Sequence, residues 1–246
     1  MIKLVLTFLS LSLLLFSADP SVQIPAVNLS LTAPTSPTQL VTTLNVVLVL
    51  TLLVLAPSLV LVMTSFIRIL IVFSFLRTAL GTQQTPPSQL LVSLALMVSM
   101  FVMEPVFTKA YDNAVKPYME EKIGYIEAFE KGLAPFKSFM SNNTREKYLA
   151  LFYRIRKMQN PSTIEDVPIT ILIPAFMLSE LKTAFEIGFL LYLPFLVVDM
   201  VVSSVLMAMG MMMLPPVTIS LPFKLLVFVL VDGWNLLTFG LVQSFR

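Results

Sequence analysis

Nine ionisable side chains interrupt otherwise apolar sequence: Arg68, Arg77, Glu104, Glu180, Lys182, Glu186, Asp199, Lys224 and Asp232. Such groups are costly in hydrocarbon and usually face protein or a water-filled path. Their types and spacing offer several chemistries. Asp199 and Asp232, on separate apolar segments, could share a proton and activate water in the manner of an intramembrane aspartyl protease. The glycine context usual for such proteases is missing. Glu180, Glu186 and Asp199 could line a proton or solute route, but no clear inverted repeat accompanies them. Lys182 and Glu186 stand four residues apart and can pair on one helix face. The wider set can pair within the chain, pair between subunits, or snorkel its long cationic side chains to an interface.

A different chemistry, that of a soft surface, is concentrated elsewhere. Five of the fifteen methionines, Met207, Met209, Met211, Met212 and Met213, fall within seven residues, and Pro215-Pro216 follows at once. Methionine is unbranched and polarizable, so a cluster of it re-packs around different shapes. Placed at the tip of a membrane-type helix, such a cluster suits a seal or gate better than a catalyst. The competing interpretation is ordinary packing filler.

Composition excludes much else. Apolar residues make up 57% of the 246 positions and charged residues 12%, and the net charge is only +2. This is the balance of an all-α membrane protein, without the basic stripe of a nucleic-acid binder. With neither Cys nor His, zinc sites, thiol nucleophiles, Ser-His-Asp triads and haem ligation by His are unavailable. None of the seven glycines forms a phosphate-binding loop. No enzymatic activity, metal or cofactor is expected.

The elements that would position these residues follow from the apolar runs. Residues 1–18 resemble a signal peptide, with Lys3, an apolar stretch and a small-residue end. Residues 19–40, rich in Pro, Ser and Thr, suggest a loose exported tail. Residues 41–108 predict a first apolar helical hairpin, with a spanning helix to about Met63 and a second helix carrying Arg68 and Arg77. Residues 109–166 hold ten basic and eight acidic side chains and predict a water-exposed helical insert. Its Glu120, Glu121, Lys122, Glu127, Glu130 and Lys131 form a solvated face, and Arg154-Ile155-Arg156-Lys157 a basic run able to meet headgroups or an acidic partner. Residues 167–246 predict a second apolar hairpin with the methionine loop. A cleaved signal places the insert on the exported side, whereas counting its Lys and Arg places it in the cytoplasm. The bias is weak for a long loop that is also acidic, so the signal decides.

One pattern occurs twice, Gly81-x-x-x-x-Pro86-Pro87 and Gly210-x-x-x-x-Pro215-Pro216. Gly suits a helix end because it tolerates a left-handed conformation, and Pro suits the first turn of the next helix. Both places therefore predict hairpin tips, one polar (Thr82 to Thr85) and one made of methionine.

The stretches Thr64 to Val72, Phe75 to Pro87 and Glu180 to Leu191, with Leu193 to Met200, Met209 to Pro216 and Val231 to Trp234, resemble the FliP family. These are the flagellar members of the type III export-gate proteins. The resemblance covers most of residues 41–246 and is weak in the tail and insert. It implies a protein of the bacterial inner membrane at the flagellar basal body. It further implies a pentamer assembled with FliQ and FliR, contacts with FlhB and FlhA, and unfolded flagellar proteins as cargo. The hairpins would stack into a right-handed helical ring above the membrane plane, with the embedded charges between subunits rather than in lipid. Met209, Met211, Met212 and Met213, with Met207 as a further candidate, would form a gasket around the channel.

Overall fold

The computed structural model describes residues 37–245 except 83, 160, 162–165 and 212. The expected signal segment, the tail up to residue 36 and Met212 lie outside the described residues. Those described form helices and no strand: α1 (Pro37–Val62), α2 (Phe66–Ala79), α3 (Ser88–Ala110), α4 (Lys116–Met119), α5 (Tyr125–Asn142), α6 (Glu146–Ile155), α7 (Ile169–Ala208), α8 (Pro216–Leu230) and α9 (Gly233–Gln243). The expectation of an all-α, membrane-type chain holds. Three stretches, within residues 43–62, 88–119 and 169–208, are long and apolar enough to cross a membrane; α8 and α9, bent by 64° at their junction, make a fourth candidate if taken together.

The chain divides into two compact units between Thr51 and Leu52. Of the first, the described part is helical from Pro37 onward. Helix therefore starts four residues inside the expected tail, with Pro37 opening it, where its missing N–H costs nothing. Thr51 there donates its hydroxyl back to Val47 O at 2.7 Å, the usual way a lone threonine is satisfied in an apolar helix.

The second unit is organised around α2. This short helix buries Phe66, Arg68, Ile69, Val72, Phe73, Leu76 and Ala79, so almost every turn is covered. Its neighbours are α7 and α3, and the shared core takes Leu91 and Ala95 from α3, Ala184 and Phe195 from α7, Phe228 from α8, and Leu237 and Leu241 from α9. Ser65 and Ser99 hydroxyls meet at 2.9 Å, satisfying two buried polar groups where α2 starts against α3. Small residues let the backbones close in, as in membrane helix pairs. The tightest case is Gly188 on α7, where an added side-chain carbon would stand 2.5 Å from Phe75 Cδ2.

The described residues of the charged stretch are mostly helical, and it does not begin at a backbone break. Helix α3 runs through a π-helical turn, Tyr111–Val115, into α4. Charge changes at residue 109 while the helix continues, its bonding widening to a π turn at Tyr111–Val115, so the change in composition falls inside one rod. Helices α5 and α6 fold back on the N-terminal part of α7, burying Met140, Tyr153, Ile171, Leu172 and Phe176 with Met63 and Val167. Burying each of the larger aliphatic and aromatic side chains contributes about 1.5–3 kcal/mol relative to leaving it in water. The six residues expected on a solvated face are all exposed or nearly so. Helix α7 has 40 residues, about 60 Å at 1.5 Å per residue. That is twice the hydrocarbon thickness, so one helix serves both the insert and the apolar half.

Replacing Gly188 by Ala is expected to cost about 1–3 kcal/mol by overpacking against Phe75. Gly240→Ala, where nothing lies within 4 Å of an added carbon, is expected to be neutral or better. Melting temperatures of the two variants in one detergent check this; equal values would remove close α2–α7 packing as the reason for Gly188.

Candidate functional site

The two repeated Gly-x-x-x-x-Pro-Pro segments do form the turns after α2 and α7. Gly81 and Gly210 take φ values of +80° and +76°, the left-handed conformation that stops a helix. The Gly210 end is a Schellman arrangement, with Met211 N donating to Leu206 O at 2.9 Å and Gly210 N to Met207 O at 3.0 Å. Pro216 opens α8, with Pro215 just before it. At the other tip Pro87 lies just outside α3, which begins at Ser88. Arg77 fastens that tip, donating from Nη1 to Ser88 Oγ at 2.9 Å, while Thr82 Oγ1 reaches back to Arg77 O at 3.2 Å. Arg77 therefore works inside one turn.

The tips are brought together. A side-chain carbon added at Gly81 would lie 3.5 Å from Val217 Cγ1, in the first turn of α8. Below them sits a buried lysine. Lys224, 2% exposed, donates from Nζ to Asp199 Oδ2 at 2.6 Å and to Ala79 O, at the end of α2, at 3.1 Å. Ser220 Oγ donates to the other Asp199 oxygen at 2.5 Å. One ammonium thus ties α7, α8 and α2 just beneath both turns. The methionines above are uncovered: Met207 is 59% exposed, Met209 61%, Met211 39% and Met213 98%.

A second buried pair lies further along α2. Arg68 and Glu180 are 3% and 0% exposed. Arg68 donates from Nε to Glu180 Oε2 at 2.8 Å and from Nη2 to Oε1. This bidentate geometry is the strongest form of arginine–carboxylate contact. Nη1 donates to Ser244 O and Oγ, both at 2.9 Å, and the guanidinium stacks 3.7 Å from the Phe245 ring centroid. A third group joins the insert to α7. Arg145 Nη2 donates to Glu186 Oε2, Lys182 Nζ lies 3.4 Å from Glu186 Oε1, and Ser179 Oγ donates to Asn143 O at 3.0 Å. The Glu186 carboxylate holds the Arg145 guanidinium above its ordinary pKa, chiefly through their hydrogen bond.

The structure thus pairs Arg68, Glu180, Lys182, Glu186, Asp199 and Lys224 within the chain, and the three that are buried, Arg68, Glu180 and Lys224, each have a partner in the same chain. The Lys182–Glu186 pair stands, shared with Arg145, which sequence reasoning missed because it lies in the insert, far from any apolar run. Nor does sequence mark Ala79 O, Ser244 or Phe245 as partners. Asp199 and Asp232 are not joined by any hydrogen bond or ion pair. Asp232 is exposed at the α8–α9 bend, with φ +51°, and accepts Asn235 Nδ2 at 3.1 Å. Glu104 is exposed beside Thr108. Among the described residues no group of acids could hold a metal ion.

Removing one member of the Arg68–Glu180 pair is expected to cost about 3–5 kcal/mol, because the other is left charged and buried. Arg68→Met with Glu180→Met is expected to regain most of that loss. Thermal unfolding of Glu180→Met and the double variant in detergent distinguishes the two; a double variant as unstable as the single would show that the ion pair is not what holds α2 to α7.

Comparison with known proteins accords with this arrangement. Residues 49–241 match the FliP family. Over 209 residues the chain is 53% identical to the flagellar biosynthetic protein FliP of Bacillus subtilis, covering 85% of this chain and 95% of the relative. The protein of that name from Caulobacter vibrioides is 54% identical over 197 residues, covering 80% and 74%. That from Treponema denticola is 45% identical over 233 residues, covering 93% and 86%. The matched span contains both glycine turns, the methionine loop and the two buried ion pairs, and the chain belongs to the FliP family.

Proposed function

We propose that this protein is a subunit of the gate through which unfolded flagellar proteins are exported, and that its methionine loop seals the channel. The family and the apolar helices make it a membrane-embedded protein of flagellar biosynthesis. The finer reading adds that copies of the chain, five by family resemblance, form a right-handed helical ring with FliQ and FliR, in contact with FlhB and FlhA. It locates the ring at the basal body in the inner membrane.

One observation carries the seal. Met207, Met209, Met211 and Met213 project uncovered from a turn whose base is fixed by the buried Lys224–Asp199 pair. Met213, at 98%, is the most exposed of the large apolar side chains described, which suits a contact made by the tip with other subunits. A ring of such tips presents polarizable, unbranched side chains to one another, and they can close on ions yet part for many side-chain shapes. The apolar helix faces left bare give the assembly ample surface to meet partner subunits and lipid. Most side chains of the three candidate spans are left exposed by the chain itself.

Replacing Met211, Met212 and Met213 together by Ala is expected to speed the leak of small solutes several-fold while the complex keeps its mass. Solute flux across membranes holding the purified complex, with native mass spectrometry of the same preparation, checks both halves. An intact, tight variant would end the gasket reading.

A further inference from the structure

Helices α8 and α9 make one crossing with a break in it. Val217, in the first turn of α8, stands beside the Gly81 turn at one end of α2. Ser244, just past α9, meets Arg68 near the other end. Taken together the two helices are long and apolar enough to cross a membrane, and the 64° bend between them falls at Val231 and Asp232. Asp232 is thus an acid placed inside a membrane-crossing stretch.

The bend leaves its polar groups uncovered. The Asp232 carboxylate is exposed and accepts only Asn235 Nδ2, at 3.1 Å, among the described residues. No cation pairs with it there. After Lys224, which Asp199 already holds, the only other charged residue of this part of the chain is Arg246, which follows the far end of α9 in sequence. Asp232 is left-handed, with φ +51°, and its side chain does not cap α9. The N–H groups of Trp234 and Asn235 therefore have no acceptor among the described residues. Around this polar spot the surface is apolar and bare, with Val229 73%, Leu230 75% and Leu236 61% exposed.

Lipid is a poor cover for such a place. Broken backbone and an unpaired carboxylate at membrane depth persist only against protein or a water-filled cavity. A second copy does not bring the missing cation from its own apolar segments. Arg68, Lys182 and Lys224 are each held by an acid of their own chain. Arg77 is fastened in the Gly81 turn, at the opposite end of the 15-residue α8, about 22 Å away at 1.5 Å per residue. A copy at the same level cannot bring it to Asp232.

We infer that the α8–α9 bend is the docking surface for a different membrane subunit, through an apolar helix that carries a lysine or arginine and sets it on Asp232. The inference rests on the reading of this chain as one subunit of a larger membrane assembly, and adds the chemistry of the partner that meets this face. In an apolar contact one such pair fixes depth and register, because a shift by one helical turn leaves both charges without a partner. The bare valine and leucine side chains supply contact area, and the carboxylate selects among apolar helices.

Co-expression with FliQ and FliR of the same bacterium, the partners proposed above, tests this. A photoactivated benzophenone amino acid in place of Leu236 is expected to label one of the two, and mass spectrometry of the product names the labelled helix. Asp232→Asn keeps a left-handed conformation that asparagine tolerates, so the lone chain is expected to melt as before. Recovery of the complex should nevertheless fall several-fold, and further with Asp232→Lys. Changing the basic residue of the labelled helix to glutamate is expected to restore recovery with Asp232→Lys but not with Asp232→Asn. Labelling of a second copy, or of no protein in an intact complex, overturns this partner, as does full recovery with Asp232→Lys. Failure of the unaltered chain to enter any complex overturns the assembly reading as well.

Discussion

Arg68 and Glu180 lie buried inside an apolar bundle with their side chains hydrogen-bonded to each other. Taking such ions out of water costs several kcal/mol apiece, returned only through close, well-formed hydrogen bonds. The pair spans 112 positions of sequence, so meeting that requirement fixes the height and rotation of α2 against α7. The remaining Arg68 donors fall on Ser244, and the flat face of the guanidinium on Phe245. Phe245 in turn stacks with Phe139 of α5 at 6.1 Å. Four separate parts of the second unit thus take their positions from one side chain.

Helix α2 works as a strut loaded at both ends. Near its start Arg68 binds α7 and the segment after α9. At its end Ala79 O accepts Lys224, whose ammonium also binds Asp199 of α7. Carbonyls in the last turn of a helix lack intrahelical donors and carry the negative end of its dipole. A buried lysine satisfies one of them and is stabilised in return. Both ends of α2 are therefore locked to α7 by ions, with Phe75 pressed against Gly188 between them. Sliding of α2 along α7 would break both locks together, so the turns above Lys224 have a rigid base.

Sequence revealed the outline of this arrangement and little of its wiring. Helical hairpins, left-handed glycines at positions 81 and 210, the Lys182–Glu186 pair and the methionine tip follow from local rules, because each depends on residues a few positions apart. Which acid meets which base does not, since Arg68 and Glu180 become neighbours only when the bundle closes. Arg145 was invisible for the same reason, lying among charges that a composition-based reading assigns to solvent. Composition changes at residue 109 without a break in the helix, because charge and backbone hydrogen bonding need not change at one residue. The π-turn at Tyr111–Val115 keeps the rod intact across the change in polarity.

The seal proposed above would have to be compliant where it touches and stiff where it is anchored. The two demands fall on adjacent residues here: Met207 to Met213 carry no charge and several free torsions, while Asp199, Ser220 and Lys224 beneath them are held by short hydrogen bonds. Softness confined to side chains lets the tip adapt without moving the helices that carry it. The Schellman bonds from Gly210 and Met211 hold the backbone into the turn, and Met213 beyond it is 98% exposed. The polar turn at Gly81, pinned by Arg77 and set against Val217, then braces the methionine turn from the side. Equivalent turns have become unequal partners, one yielding and one supporting.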